Sequence, residues 1–234
     1  MLHLLGFKKL TGVFVLCFFV TTIFCQTTKK IIINFKTVLG KNNLVLNDSV
    51  YNLKNTNTVI FKTLKFYTSN IELLQNNKIV FKEKNSFHLY TADSVNKNIT
   101  LSVPSKLQFN TLKFNLGIDS LTNVSGALGG DLDPTTGMYW TWQSGYINFK
   151  LEGKSNVCNN SKKEFQFHLG GYTNPLNALQ NITLSVETKN ITNVVFDVKQ
   201  FIEEIDLSKQ NHIMSPNSQA VTLSQQAAKC FKIE

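Results

Sequence analysis

The chain has no arginine; all 24 of its basic residues are lysines. Arginine is the side chain that reads guanine edges and clamps phosphates with two parallel hydrogen bonds. Its absence removes the usual equipment for nucleic-acid recognition, and no nucleic-acid partner is expected. The lysines are scattered and often alternate with apolar residues, as in Phe61-Lys62-Thr63-Leu64-Lys65-Phe66. That is the pattern of solvated strand faces and blunted edges. The formal charge of +9 therefore implies only weak, unspecific attraction to anionic surfaces. Catalytic signatures are missing too. There is no Gly-x-Ser-x-Gly elbow, no His-Glu-x-x-His and no Walker loop, and Ser144-Gly145 lacks the glycine that would precede an elbow. The chain is not expected to be an enzyme.

Long apolar runs are scarce as well. The prominent one, residues 10–24, follows Lys8 and Lys9 and ends at Cys25-Gln26. It is shorter than the roughly 20 residues a membrane span needs and has the layout of a cleaved secretory signal. The boundary predicted is a signal peptide at 1–25, with Gln26 the first mature residue. A lipid anchor on Cys25 would want a small residue where Phe24 stands; an uncleaved anchor is the other alternative. Cleavage leaves no membrane span and an extracytoplasmic protein, in a periplasm, at the cell surface or secreted. It removes two lysines and no acid, so +9 becomes +7. It also removes His3, Cys17 and Cys25, leaving His88, His168 and His212, and Cys158 and Cys230. In an oxidising compartment Cys158 and Cys230 can pair, a bridge contributing up to roughly 4 kcal/mol. Two unrelated thiols are the alternative.

The mature chain, 26–234, reads as one domain built strand after strand. Apolar residues alternate with polar ones at 31–36, 59–67, 78–81, 87–90, 98–103, 114–118, 145–151, 165–169, 182–186 and 194–198, with a short run at 44–46. Asn, Ser, Thr and Gly punctuate them. Period-two alternation repeated this often predicts an all-β antiparallel sandwich. Helix is expected late, as one turn at 201–205 and as an amphipathic helix at 218–231 that caps an open end. Six Asn-x-Ser/Thr matches, at Asn47, Asn98, Asn123, Asn159, Asn181 and Asn190, read as chance in a chain so rich in Asn, Ser and Thr.

The densest stretch is 129–171. Gly129-Gly130-Asp131-Leu132-Asp133-Pro134 feeds Gly137-Met138-Tyr139-Trp140-Thr141-Trp142-Gln143-Ser144-Gly145-Tyr146; Leu151-Glu152-Gly153 and Phe167-His168-Leu169-Gly170-Gly171 follow. Both tryptophans of the protein lie here, and at i and i+2 of a strand they would share a face. These motifs resemble the MbnP-like copper-binding family of secreted bacterial proteins. Phe66-Tyr67-Thr68-Ser69, Phe87-His88-Leu89-Tyr90, the segment Phe114-Asn115-Leu116-Gly117-Ile118-Asp119 with Asn123, and His212-Ile213-Met214 extend the likeness over nearly the whole mature chain. The Trp-x-Trp block is specific; the flanking strands are individually weak. The resemblance implies a β-sandwich and extracytoplasmic copper handling. It also implies that a tryptophan can be oxidised to kynurenine by a di-haem partner related to cytochrome c peroxidases. In some relatives kynurenine and histidines hold the copper, but ligand positions vary among them.

Copper(I) takes imidazole and thioether readily. His168 leads as a ligand because Phe165, Phe167 and Leu169 would face the core and leave it on the other side. His212, with Met214 two residues on, and His88 follow. Trp140 and Trp142 are candidates for modification or for standing beside the metal. Asp131 and Asp133 suit an Asx turn that aims the tryptophan strand; as hard oxygen donors they could also meet calcium, but no Glu closes an EF-hand loop and calcium is not expected. The alternative function is a carbohydrate or surface-ligand module, with Tyr139, Trp140, Trp142 and Tyr146 as an aromatic platform.

Overall fold

A computed structural model describes residues 27–54, 57–94, 98–143 and 145–234; the expected signal peptide lies outside them. The fold is a two-sheet β-sandwich. Among the described residues fifteen strands run in chain order: β1 (Thr28–Leu39), β2 (Asn42–Asn43), β3 (Tyr51–Asn52), β4 (Thr58–Gln75), β5 (Lys78–Lys82), β6 (Phe87–Thr91), β7 (Asn98–Pro104), β8 (Thr111–Leu116), β9 (Tyr139–Trp140), β10 (Gly145–Ser155), β11 (Glu164–Gly170), β12 (Gln180–Ser185), β13 (Ile191–Asp197), β14 (His212–Ile213) and β15 (Phe231–Ile233). The α-helices among the described residues are α1 (Ser120–Val124), α2 (Val198–Ile202) and α3 (Ser218–Ala228). Among the described residues no helix is long and apolar enough to cross a membrane.

The smaller sheet has the order β15-β13-β1-β2, with β7 also on β1; the larger has β12-β8-β4-β10-β11-β14, with β3, β5, β6 and β9 attached. Most pairs are antiparallel, as the alternation predicts. Two are not: β1 runs parallel to β13 and β11 parallel to β14. Alternation fixes which face a residue takes, but not the direction of its neighbour. Between the sheets lies one phenylalanine-rich core. Phe35 of β1 meets Phe66 and Phe114 edge-on, and Phe66 stacks on Tyr90 at 4.5 Å. Helix α3 is capped by Asn217, whose side chain accepts the Ala220 N–H, and buries Ala220, Leu223, Ser224 and Ala227 against this core.

Boundaries differ from expectation in four places. The apolar run 44–46 lies outside any strand, which ends at Asn43. The one-turn helix starts earlier, at Val198, because the Asp197 side chain caps it by accepting the Lys199 N–H. The last helix stops at Ala228, and Phe231 begins β15 opposite Phe196. Phe231 is buried either way; pairing with β13 also satisfies its backbone. Finally, β9 ends at Trp140, so Trp142 sits in the turn after it.

A second, smaller core lies on the outer face of the larger sheet. Tyr67, Ile118, Leu132, Met138, Trp140, Tyr146 and Ile147 form it. The segment from Gly129 to Gln143 thus folds back as a flap over the sheet. The flap is pinned by lysines: Lys65 Nζ donates to Thr136 O at 2.9 Å and Lys150 Nζ to Gly137 O at 3.0 Å. Asn123 is buried here. Its amide donates to the Ile118 and Asp119 carbonyls and its oxygen accepts the Tyr146 N–H. This Asn-x-Ser match is a structural asparagine.

Candidate metal centre

Strand β11 is the centre of the site. Phe165, Phe167 and Leu169 point into the main core, so His168 lies on the outer face, as its alternation predicts. It stands opposite Lys150 of β10 and is 5% exposed. Its Nε2 donates to Glu152 Oε1 at 2.7 Å. That hydrogen bond comes first in holding the Glu152 carboxyl down at about 2, with Thr63 and Lys150 adding to it against the opposing effect of burial. The carboxylate is therefore ionised at any pH of interest.

On the other side of β11 runs β14, with Gln166 opposite His212 and Phe167 opposite Ile213. Ile213 is buried in the main core, so His212 and Met214 take the outer face with His168. The pairing ends at Phe167–Ile213, and Met214 is the next residue after β14. The chain stays alongside beyond it: the Pro216 Cβ lies 3.0 Å from where a side chain on Gly171 would begin. His212 is exposed and diagonal to His168, and Met214 is half-buried.

Trp140 closes the cluster along the strand. Its ring occupies the space above Gly170, with Cζ3 2.7 Å from where a Cβ would stand. Gly170 shares the face of His168, two residues away. Trp140 is 6% exposed and its buried Nε1–H has no acceptor among the described residues. Trp142 is 66% exposed, and the two rings are 5.9 Å apart and inclined by 46°. The four rings of the proposed carbohydrate platform do not form a plane. Tyr146 is buried and meets Tyr139 edge-on at 68°, so only Trp142 presents an open face.

His88 lies elsewhere. It is two residues before Tyr90, which stacks in the main core, so it takes the inner side of the sheet at its rim. Strands β10 and β4 separate β6 from β11, a distance of roughly 14 Å. His88 Nε2 bonds Glu83 at 2.9 Å. Among the described residues no three His, Cys, Asp or Glu side chains are grouped to hold a metal. His168 and His212 lie on adjacent strands, and His88 lies on β6 across the sheet. Alternation told which face each histidine takes within its strand, but not which strands lie side by side.

The aspartates serve the turn. Asp133 accepts the Thr135 N–H at 2.8 Å, and Asp131 accepts the Leu89 N–H at 2.8 Å, which ties the flap to the edge of β6. Cys158 and Cys230 are both free and buried. Cys158 follows the end of β10 that pairs with Val59, whereas Cys230 precedes Phe231, which packs on Phe66 and Phe114 further along. They lie on different parts of the core, and of the two alternatives the unpaired thiols are the one found. Glu152 was not among the ligand candidates. The signal that could have found it is its place on β10, two residues from Lys150 on the outer face beside β11.

The family model for MbnP matches residues 28–215. Among solved structures, MbnP from Methylosinus trichosporium has a similar fold, with a TM-score of 0.57 and 14% sequence identity over 78% of this chain and 80% of that one. No curated protein matches the chain.

Proposed function

The chain belongs to the MbnP family, and from that premise we propose that it is an extracytoplasmic copper-binding protein for copper acquisition or handling. The reading is supported by the outer face of β11, where His168 lies diagonal to His212 of the adjacent strand β14, with Met214 two residues further along the chain. Imidazole and thioether are the donors that copper(I) favours. In this reading His168 and Met214 hold the copper and His212 reaches in from the exposed side. His88 is not a ligand. The signal peptide at 1–25 delivers the chain out of the cytoplasm.

The tryptophan pair supports the finer part of the reading, maturation by a di-haem, peroxidase-like partner. Trp142 is the ring a partner protein can touch. Trp140, seated at Gly170 near His168, is the ring whose conversion to kynurenine adds an amine and a carbonyl beside the copper. Peptide mass mapping of protein from its native source tests this: kynurenine at 140 supports it, and unmodified tryptophan at both positions contradicts it.

Competitive copper(I) titration tests the binding claim. His168→Ala is expected to weaken binding at least about tenfold and Met214→Leu by a similar factor, while His88→Ala leaves it unchanged. Copper held equally tightly by His168→Ala and the parent sinks the proposal.

A further inference from the structure

Glu152 carries the next step, which rests on the reading of His168 as a copper ligand. A neutral imidazole has one N–H and one lone pair, and only the nitrogen bearing the lone pair can bind a metal. Which nitrogen that is depends on what the other one meets. In this protein the Nε2 of His168 faces a carboxylate oxygen at 2.7 Å. An ionised carboxylate only accepts, so Nε2 must carry the hydrogen. Nδ1 makes no hydrogen bond among the described residues and is left with the lone pair.

We propose that Glu152 is a positioning residue that fixes His168 in the Nε2–H tautomer, so that Nδ1 is the atom offered to copper. The surroundings suit the role. Glu152 lies diagonal to His168 across the β10–β11 pair, and on its other side it stands opposite Thr63 of β4. Lys150 Nζ lies 4.0 Å from the same Oε1 that takes the imidazole hydrogen. The carboxylate is therefore supported from its own strand and from a neighbouring one. His168 itself is 95% buried, which resists a ring flip that would exchange the two nitrogens. Such an outer carboxylate also raises the basicity of the imidazole it holds.

His88 is a control supplied by the fold. Its Nε2 meets Glu83 at 2.9 Å in the same manner. No methionine accompanies it in the sequence around 83–91, and Glu83 is shared with the Ser86 hydroxyl. A carboxylate–histidine pair alone is thus not taken as a copper site; the pair at His168 is distinguished by the adjacent strand β14, which carries His212 and is followed by Met214.

The test uses the mature chain, labelled with nitrogen-15 and free of metal. Long-range proton–nitrogen correlation spectra report the imidazole tautomer directly, and a copper(I) competition titration reports affinity. The parent should show His168 as Nε2–H. Glu152→Ala should give a mixture of tautomers and a copper(I) affinity lower by about 10- to 100-fold, with its thermal midpoint showing that the fold persists. Glu152→Gln keeps an acceptor oxygen but no charge; it should hold the tautomer better than Ala and bind more weakly than the parent. Glu83→Gln should change neither readout at His168. The proposal is overturned if the parent shows Nδ1–H, or if Glu152→Ala leaves tautomer or affinity as they were. If His168→Ala binds copper normally, the ligand reading has failed instead, and the metal-free spectra still decide whether Glu152 sets the tautomer.

Discussion

Gly170 has no side chain, and Trp140 fills the space that one would take. A Cβ there would meet the indole Cζ3 and the Tyr146 carbonyl oxygen, each at 2.7 Å, and backbone cannot give way as a flexible side chain can. Gly170→Ala should therefore displace Trp140, cost about 1–3 kcal/mol by overpacking and shift the tryptophan fluorescence. An unchanged spectrum and melting midpoint would refute this packing. The two thiols lead to a different expectation. Burial pushes the Cys230 thiol up to about 12, with Asp197 and Glu204 adding to it, and burial likewise raises Cys158. Neither should react with an alkylating reagent in the native protein at neutral pH, and both should react once it is denatured. At this scale the sequence was informative about faces. Alternation around Phe167 and Leu169 put His168 on the outer side, where it is found. It said nothing of Glu152, because a hydrogen bond between strands depends on register.

The strands themselves were legible wherever alternation was sustained, and less so where a neighbour decides the outcome. β4 is an 18-residue strand, twice the expected length, because its second half serves as the partner of β5 and β8. The flap was legible as a turn, from Asp131 to Pro134, but not as a second core. Its apolar residues are spaced irregularly and pack on a sheet face that looks solvated in sequence. Glu72 makes an element-scale prediction. Burial would raise its pKa, but hydrogen bonds and charge from Lys82 and Lys113 outweigh burial and hold it below the usual carboxylate range. Lys82 lies at 3.0 Å and Lys113 at 3.5 Å. A carboxyl depressed in the folded state stabilises it fully above the unfolded value of about 4.3, and that stability is lost as the pH falls through the lower folded value. Glu72→Gln should cost about 1 kcal/mol near pH 7, and the gap to the parent should narrow on acidification. A gap that stays constant down to the acid range would contradict this pairing of β4, β5 and β8.

For the whole molecule, function depends on which strands the fold sets side by side. Residues 166–170 and 212–216 are more than forty positions apart in sequence, yet β11 and β14 run parallel and adjacent. That adjacency brings the strands of His168 and His212 together and leaves His88 across the sheet, a partition that no spacing in the sequence discloses. The most direct test is an anomalous difference map, recorded at the copper edge, from crystals of the mature chain loaded with copper(I). The account predicts a single dominant peak on the outer face of β11, between His168 Nδ1 and Met214 Sδ. A dominant peak beside His88 and Glu83, or none near His168, would contradict it.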